Sequence, residues 1–271
     1  MCSSADVTRD EEKAETVRLD GIRILLAEDN PFNQQVATEL LEMVGASVAI
    51  AANGNEALYQ LSKGRFDCVL MDVQMPDMDG VETTRRIRAD AQLAGQLVIA
   101  MTANAMNDDR VRCLAAGMND FIAKPIQPQR LYAVLANHLK LPAGQAKVLP
   151  LEVNKKEPST MKLTHIDLAV LVDHIGSDAP ELLRKYAGMF VQSVGKGMTE
   201  LRQALENGDL PAISAIAHRI KSPARTVGAT AFADACQALE HVSDLQAATS
   251  LYSELQAMQQ AIEAEIGNVL A

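Results

Sequence analysis

The chain has 271 residues, 48% of them hydrophobic and 22% charged, with a net charge of −10, no Trp, five Phe and four Tyr. At about 150 residues per domain this length points to two hydrophobic cores, and the composition excludes a wholly disordered, collagen-like or fibrous chain. An acidic chain so poor in aromatics lacks the basic surface and stacking groups that nucleic-acid binding uses, and no apolar run approaches the ~18 residues that span a bilayer.

Residues 1–20 carry three bases and six acids and no apolar core, so they read as a polar segment, not a secretion signal, and a cytoplasmic chain is expected. Across 21–140, short apolar runs at Ile24–Ala27, Val48–Ala51, Cys68–Met71, Leu97–Met101 and Phe121–Ala123 alternate with helix-like stretches such as Gln34–Met43, Glu56–Leu61 and Leu131–Leu139. Five strands alternating with helices predict a doubly wound α/β fold, a parallel sheet with helices on both faces and ligands at the carboxyl ends of the strands. Residues 141–164 hold Pro142, Pro150 and Pro158, show no apolar period and are net positive, which reads as a linker. From 165 to 271 strand signals vanish. Helical periods over Pro180–Asn207, Pro211–Val227, Thr230–Val242 and Ala247–Leu270 predict an all-α antiparallel bundle. Cys2, Cys68, Cys113 and Cys236 show no metal or dithiol spacing and read as reduced apolar fillers.

Glu28 and Asp29 follow the first predicted strand, Asp72 the third, Thr102 the fourth and Lys124 the fifth. In a doubly wound sheet these groups land on one rim, where such folds bind ligands. Carboxylates held together there repel one another, so the cluster makes sense with a hard cation such as Mg²⁺, and Lys124 adds further compensation. Asp72 beside a dication, an ammonium and a hydroxyl is suited to attack a phosphoryl group.

The stretches ILLAEDNPFNQ (24–34), MDVQMPDMDG (71–80), MTAN (101–104) and FIAKPI (121–126) closely resemble the receiver domain of two-component signalling. That resemblance implies Asp72 as phosphoacceptor, Asp29 and Asp72 as direct Mg²⁺ ligands with the Gln74 backbone carbonyl, and Glu28 as a partner through water. It also implies Thr102 as the switch hydroxyl, Lys124 as the phosphate-contacting cation, a cis bond before Pro125, and Phe121 as the switch aromatic, signalling through ring packing alone.

Of the five histidines, His138, His165, His174 and His241 read as structural or simply exposed. On a helical wheel Ser214, Lys221, Ser222 and Arg225 fall on the side of His218, and Ile213, Ile216, Ala217, Ile220, Ala224 and Val227 on the other. The helix is expected to bury the second face and display the first, which sets an imidazole beside two cations and two hydroxyls. The segment AHRIKSPARTVGA (217–229) resembles the histidine phosphotransfer (HPt) domain, which implies His218 as the phosphorylated residue, Lys221 and Arg225 as its cationic surround, and Gly228 as the helix end. Where that family often has Gly after the Lys, this chain has Ser222 and then Pro223, which removes a helical donor and is expected to kink the helix.

Together these readings predict a phosphorelay chain resembling the C-terminal part of a hybrid sensor histidine kinase. Phosphoryl acceptance on Asp72 is expected to need Mg²⁺, with transfer to or from His218 and on to a partner receiver domain. No ATP-binding segment is evident, so a sensor histidine kinase would act in trans or within a longer protein. The alternative is a phosphate sink or phosphorylation-dependent adaptor. A DNA-binding regulator is disfavoured by the seven bases and 13 acids of 165–271.

Overall fold

A computed structural model of the chain describes residues 17–103, 107–139, 141 and 163–269. Cys2 and nearly all of the predicted linker lie outside the described residues.

The first domain is a five-stranded parallel sheet in the order β2-β1-β3-β4-β5, formed by β1 (Arg23–Ala27), β2 (Ser47–Ala51), β3 (Cys68–Asp72), β4 (Val98–Thr102) and β5 (Asp120–Ala123). The connecting helices are α1 (Pro31–Met43), α2 (Gly54–Lys63), α3 (Gly80–Ala89) and α4 (Asn107–Ala115), and α5 (Pro128–His138) follows the last strand. Strands β3 and β4 are buried along their whole length, as continuous apolar runs in a sheet covered on both faces should be. Asp72 and Thr102 prove to be the last residues of their strands, not the residues after them.

The register sets the rim. Ala27 pairs with Met71, Asp72 with Met101 and Thr102 with Ala123, so the carboxyl ends of the four strands lie level. Gly80 lets the next turn close against them, because a Cβ there would stand 2.1 Å from the Asp72 carbonyl oxygen.

Val17 and Leu19 are fully packed in the core, and the Leu19 amide donates to Val44 O at 2.6 Å. The first domain therefore draws in residues from the segment expected to be a polar leader, because two apolar side chains among its charges find a place beside the α1 terminus.

The second half is helical throughout its described residues. It comprises α6 (Leu168–Ile175), α7 (Pro180–Glu206), α8 (Leu210–Thr226), α9 (Thr230–Glu240) and α10 (Leu245–Val269). Helices α7 to α10 form the bundle, each packed on the next and α10 returning to α7, while α6 lies across α7 and α8. Asp209 caps α8 by accepting from Ala212 N at 3.0 Å, and Gly228, with φ of 76°, turns the chain out of it. Pro223 sits inside α8, which continues to Thr226. No helix among the described residues is long and apolar enough to cross a membrane.

The two domains touch. Helix α1 packs against α7 and α8, and one continuous apolar cluster runs from the α1 side of the sheet into the bundle. Phe32 meets Tyr186 edge to face with ring centres 6.0 Å apart, and both rings are almost wholly buried. Around them Glu39 accepts hydrogen bonds from Lys185 and from the Tyr186 hydroxyl. An aromatic centre with a polar margin is the usual anatomy of a specific contact.

Candidate functional site

Glu28, Asp29 and Asp72 each offer a carboxylate oxygen within 4.8 Å of the others. Lys124, after β5, donates to Glu28 Oε2 and to Asp72 Oδ2, both at 2.5 Å. Glu28 Oε1 also accepts from Asn33 Nδ2 at 2.9 Å, and Asp72 Oδ1 accepts from the Gln74 amide at 3.1 Å. Thr102 is buried at the end of β4, its carbonyl accepting from Lys124 N at 2.7 Å, and the Lys124–Pro125 bond is cis. Phe121 lies beneath the Arg110 guanidinium, 5.0 Å from the ring centre.

Burial pushes the Asp72 carboxyl well above the carboxylate range. Glu28 and Asp29 add to that push, and Lys124 opposes it without cancelling it. Asp29 is raised for the same reasons, burial first and Glu28 next. The Lys124 ammonium goes up instead, because Asp72 and Glu28 together outweigh its burial. Three carboxylates against one ammonium leave an excess of two negative charges, and every donor is a hard oxygen, so the set fits a dication such as Mg²⁺.

His218 stands on α8 with its side chain 20% exposed. Its Nδ1 lies 3.0 Å from Glu240 Oε1 on α9, while Glu240 Oε2 accepts from Lys221 Nζ at 2.6 Å. Burial alone would raise the Glu240 carboxyl, but His218 and Lys221 outweigh it and hold the group below its ordinary value. Arg225 turns away to Gln237.

The displayed face expected around His218 is thus covered. Lys221 and Ser222 are 5% and 8% exposed. Glu240 closes over the first, and the second faces the other domain, its hydroxyl 3.5 Å from Asn33 Oδ1. Ser222 and Thr226 line a small cleft with Asn33, Lys124 and Pro125, and the Asn30 side-chain amide donates to the Arg219 carbonyl at 2.9 Å. Helix α8 therefore lies along the acidic rim.

Glu240 and Asn30 escaped the sequence reading. Glu240 had a signal, since it falls on the helical face of Ala233 and Cys236, and an acid on an apolar face needs a cation or donor. Asn30 had only its cap.

Comparison with known proteins agrees with this architecture. Residues 24–136 match the response regulator receiver domain and 185–268 match the Hpt domain. The chain is a two-domain protein of two-component signalling, with a receiver followed by an Hpt domain. It is 31% identical to the sensor protein GacS of Pseudomonas syringae pv. syringae, over 80% of this chain and 24% of that protein. It is also 38% identical to hybrid signal transduction histidine kinase K of Dictyostelium discoideum, over 43% of this chain and 10% of that one. The chain thus spans a quarter or less of these two relatives. Among solved structures it is similar to the receiver domain of a sensor histidine kinase of Pseudomonas aeruginosa PAO1, which holds a magnesium ion in its active-site cleft. The identity is 42% and the TM-score 0.42, over 44% of this chain and 97% of that one.

Proposed function

We propose that this chain is a phosphorelay intermediate in which Asp72 and His218 exchange a phosphoryl group. One observation carries the reading: the helix bearing His218 lies against the rim bearing Asp72, joined there by the Asn30–Arg219 bond and the cleft between Lys124 and Ser222. An Asp72 oxygen attacks the phosphorus of a phosphohistidine on a sensor kinase, forming the P–O bond as the donor's N–P bond breaks. The acyl phosphate then passes to His218. Its Nε2 forms a P–N bond, the Asp72 P–O bond breaks, and the carboxylate is restored.

Glu28, Asp29 and Asp72, with the Gln74 carbonyl, would hold Mg²⁺, which when bound offsets charge on the equatorial oxygens. Lys124 offsets charge from the β5 side, and Thr102 would hydrogen-bond a phosphoryl oxygen. Glu240 orients the imidazole. Partners are then a sensor histidine kinase upstream, in trans or within a longer protein, and a receiver domain downstream.

The two carriers differ in lability, because an acyl phosphate is cleaved by base and a phosphoramidate by acid. Labelled with a phosphorylated kinase, His218→Gln should carry base-labile counts only. Asp72→Asn, labelled backward from a phosphorylated receiver, should carry acid-labile counts only. Acid-labile, alkali-stable label persisting in His218→Gln would assign the role to another histidine.

A further inference from the structure

We propose that Pro223 makes α8 a docking element for this chain's own receiver, by freeing the Arg219 carbonyl to accept from the Asn30 side-chain amide. In an α-helix the carbonyl of residue 219 is the acceptor for the N–H of residue 223. Proline has no N–H, so the helix itself leaves that carbonyl without its regular partner. The Asn30 Nδ2 takes the vacant direction at 2.9 Å, from 189 residues away in sequence.

The amide cannot be turned round without loss. Asn30 Oδ1 caps α1, accepting from Phe32 N at 2.9 Å, which fixes the oxygen toward its own helix and the NH₂ toward α8. Asn30 is 2% exposed, so a carbonyl facing it unpaired would be shut off from water. The bond is flanked by the contact of Ser222 with Asn33 and farther along by the Phe32–Tyr186 pair and the Glu39 cluster.

The contact selects among partners. A receiver with an aliphatic side chain at the position of Asn30 leaves the Arg219 carbonyl orphaned, and one with a carboxylate sets two acceptors against each other. The chain's own receiver, which supplies the donor, is favoured one residue from His218. Docking itself is independent of the proposed relay, whereas the consequence for phosphoryl traffic rests on it.

The test uses the full chain with Cys2→Ser, carrying a donor and acceptor dye on Tyr59→Cys and Ser253→Cys, both exposed positions in different domains. The native Cys68, Cys113 and Cys236 are buried and will label slowly. Single-molecule energy transfer gives the ratio of docked to undocked chains without phosphate.

Asn30→Ser keeps a capping oxygen but loses the donor, and should lower that ratio about tenfold. Pro223→Ala restores the helical N–H, and in that background Asn30→Ser should change the ratio less than about twofold. Asn30→Asp, which keeps the cap and replaces donor by acceptor, gives a reading independent of Pro223 and should lower the ratio at least as far as serine. An undocked wild type, a ratio unmoved by Asn30→Ser or Asn30→Asp, or an equal tenfold loss with and without Pro223 would each overturn the proposal. A chain that docks as described yet never transfers phosphate would overturn the relay instead.

Discussion

Glu240 holds His218 by one oxygen and Lys221 by the other, with Oε1 3.0 Å from the imidazole Nδ1 and Oε2 2.6 Å from the ammonium. A carboxylate at Nδ1 keeps the proton on that nitrogen and leaves the Nε2 lone pair for attack, as orienting carboxylates do for catalytic and metal-bound histidines. Glu240→Ala should slow phosphoryl transfer to His218 by about 10–100-fold, with Glu240→Gln in between because its carbonyl still accepts from Nδ1–H. Ring ¹⁵N shifts of His218 supply the readout specific to positioning. They should report the Nδ1–H tautomer in the wild type and a mixture in Glu240→Ala. An unchanged tautomer would reduce Glu240 to a structural partner of Lys221.

Gly80 is the steric gate of the rim. A Cβ placed 2.1 Å from the Asp72 carbonyl oxygen must displace either α3 or the end of β3. Gly80→Ala should therefore destabilise the first domain by roughly 1–3 kcal/mol, the usual range for overpacking, and weaken labelling of Asp72 as well. Thermal unfolding read beside a phosphorylation time course checks both, and a variant with wild-type melting and labelling would show that the turn relaxes freely.

The acidic rim was legible because strand ends announce themselves. Apolar runs stop at Ala27, Met71, Met101 and Ala123, and the polar residue that follows each is committed to one edge of the sheet. Periodicity was less informative for α8. A helical wheel shows which residues share a side with His218 but not what lies against that side, and here Glu240 and the receiver cover Lys221 and Ser222. Helix α6 escaped the reading because LAVLVDHI is an apolar run of eight residues, too short for a helical period to declare itself. Pro223 was read as a kink. Its consequence for the Arg219 carbonyl depended on a donor that only folding brings near.

Labelling of Asp72 should require a divalent cation. One ammonium faces three carboxylates within 4.8 Å, so without further positive charge the cluster repels an incoming phosphoryl group. With a small-molecule phosphodonor and excess chelator, base-labile counts should fall to background and return with Mg²⁺. Undiminished labelling in chelator would sink the metal assignment.

Contact between the domains should weaken in acid through Glu39. Burial would raise its carboxyl, but hydrogen bonds from Lys185, Tyr186 and Gln35 outweigh that and hold it below its ordinary value. A group depressed in the docked state contributes fully above its free value, about 4.3 for Glu, and its contribution fades as pH falls through the docked one. The docked fraction should thus be flat near neutrality and decline below about pH 4.3. Glu39→Gln should dock less at neutral pH and lose that part of the slope. An identical acid limb in both proteins would place the titrating group elsewhere.

Transfer between Asp72 and His218 should run within one molecule. The 24 residues from 141 to 164 have a coil span of about 27 Å and an extended limit of roughly 80 Å, enough to let one domain reach the other. Tethering on this scale gives effective concentrations near the millimolar range, and α8 already lies along the rim. The wild-type rate should therefore stay constant on dilution. A mixed pair, prephosphorylated His218→Gln with Asp72→Asn, can react only between chains and should slow in proportion. Linker length alone permits either outcome, but the Asn30–Arg219 bond and the Phe32–Tyr186 contact favour the tethered route because they hold the reacting helix against its own receiver. Wild-type transfer that slows in proportion to dilution, or that matches the mixed pair at every concentration, would show that phosphate passes between chains and that the docked arrangement keeps the two carriers apart.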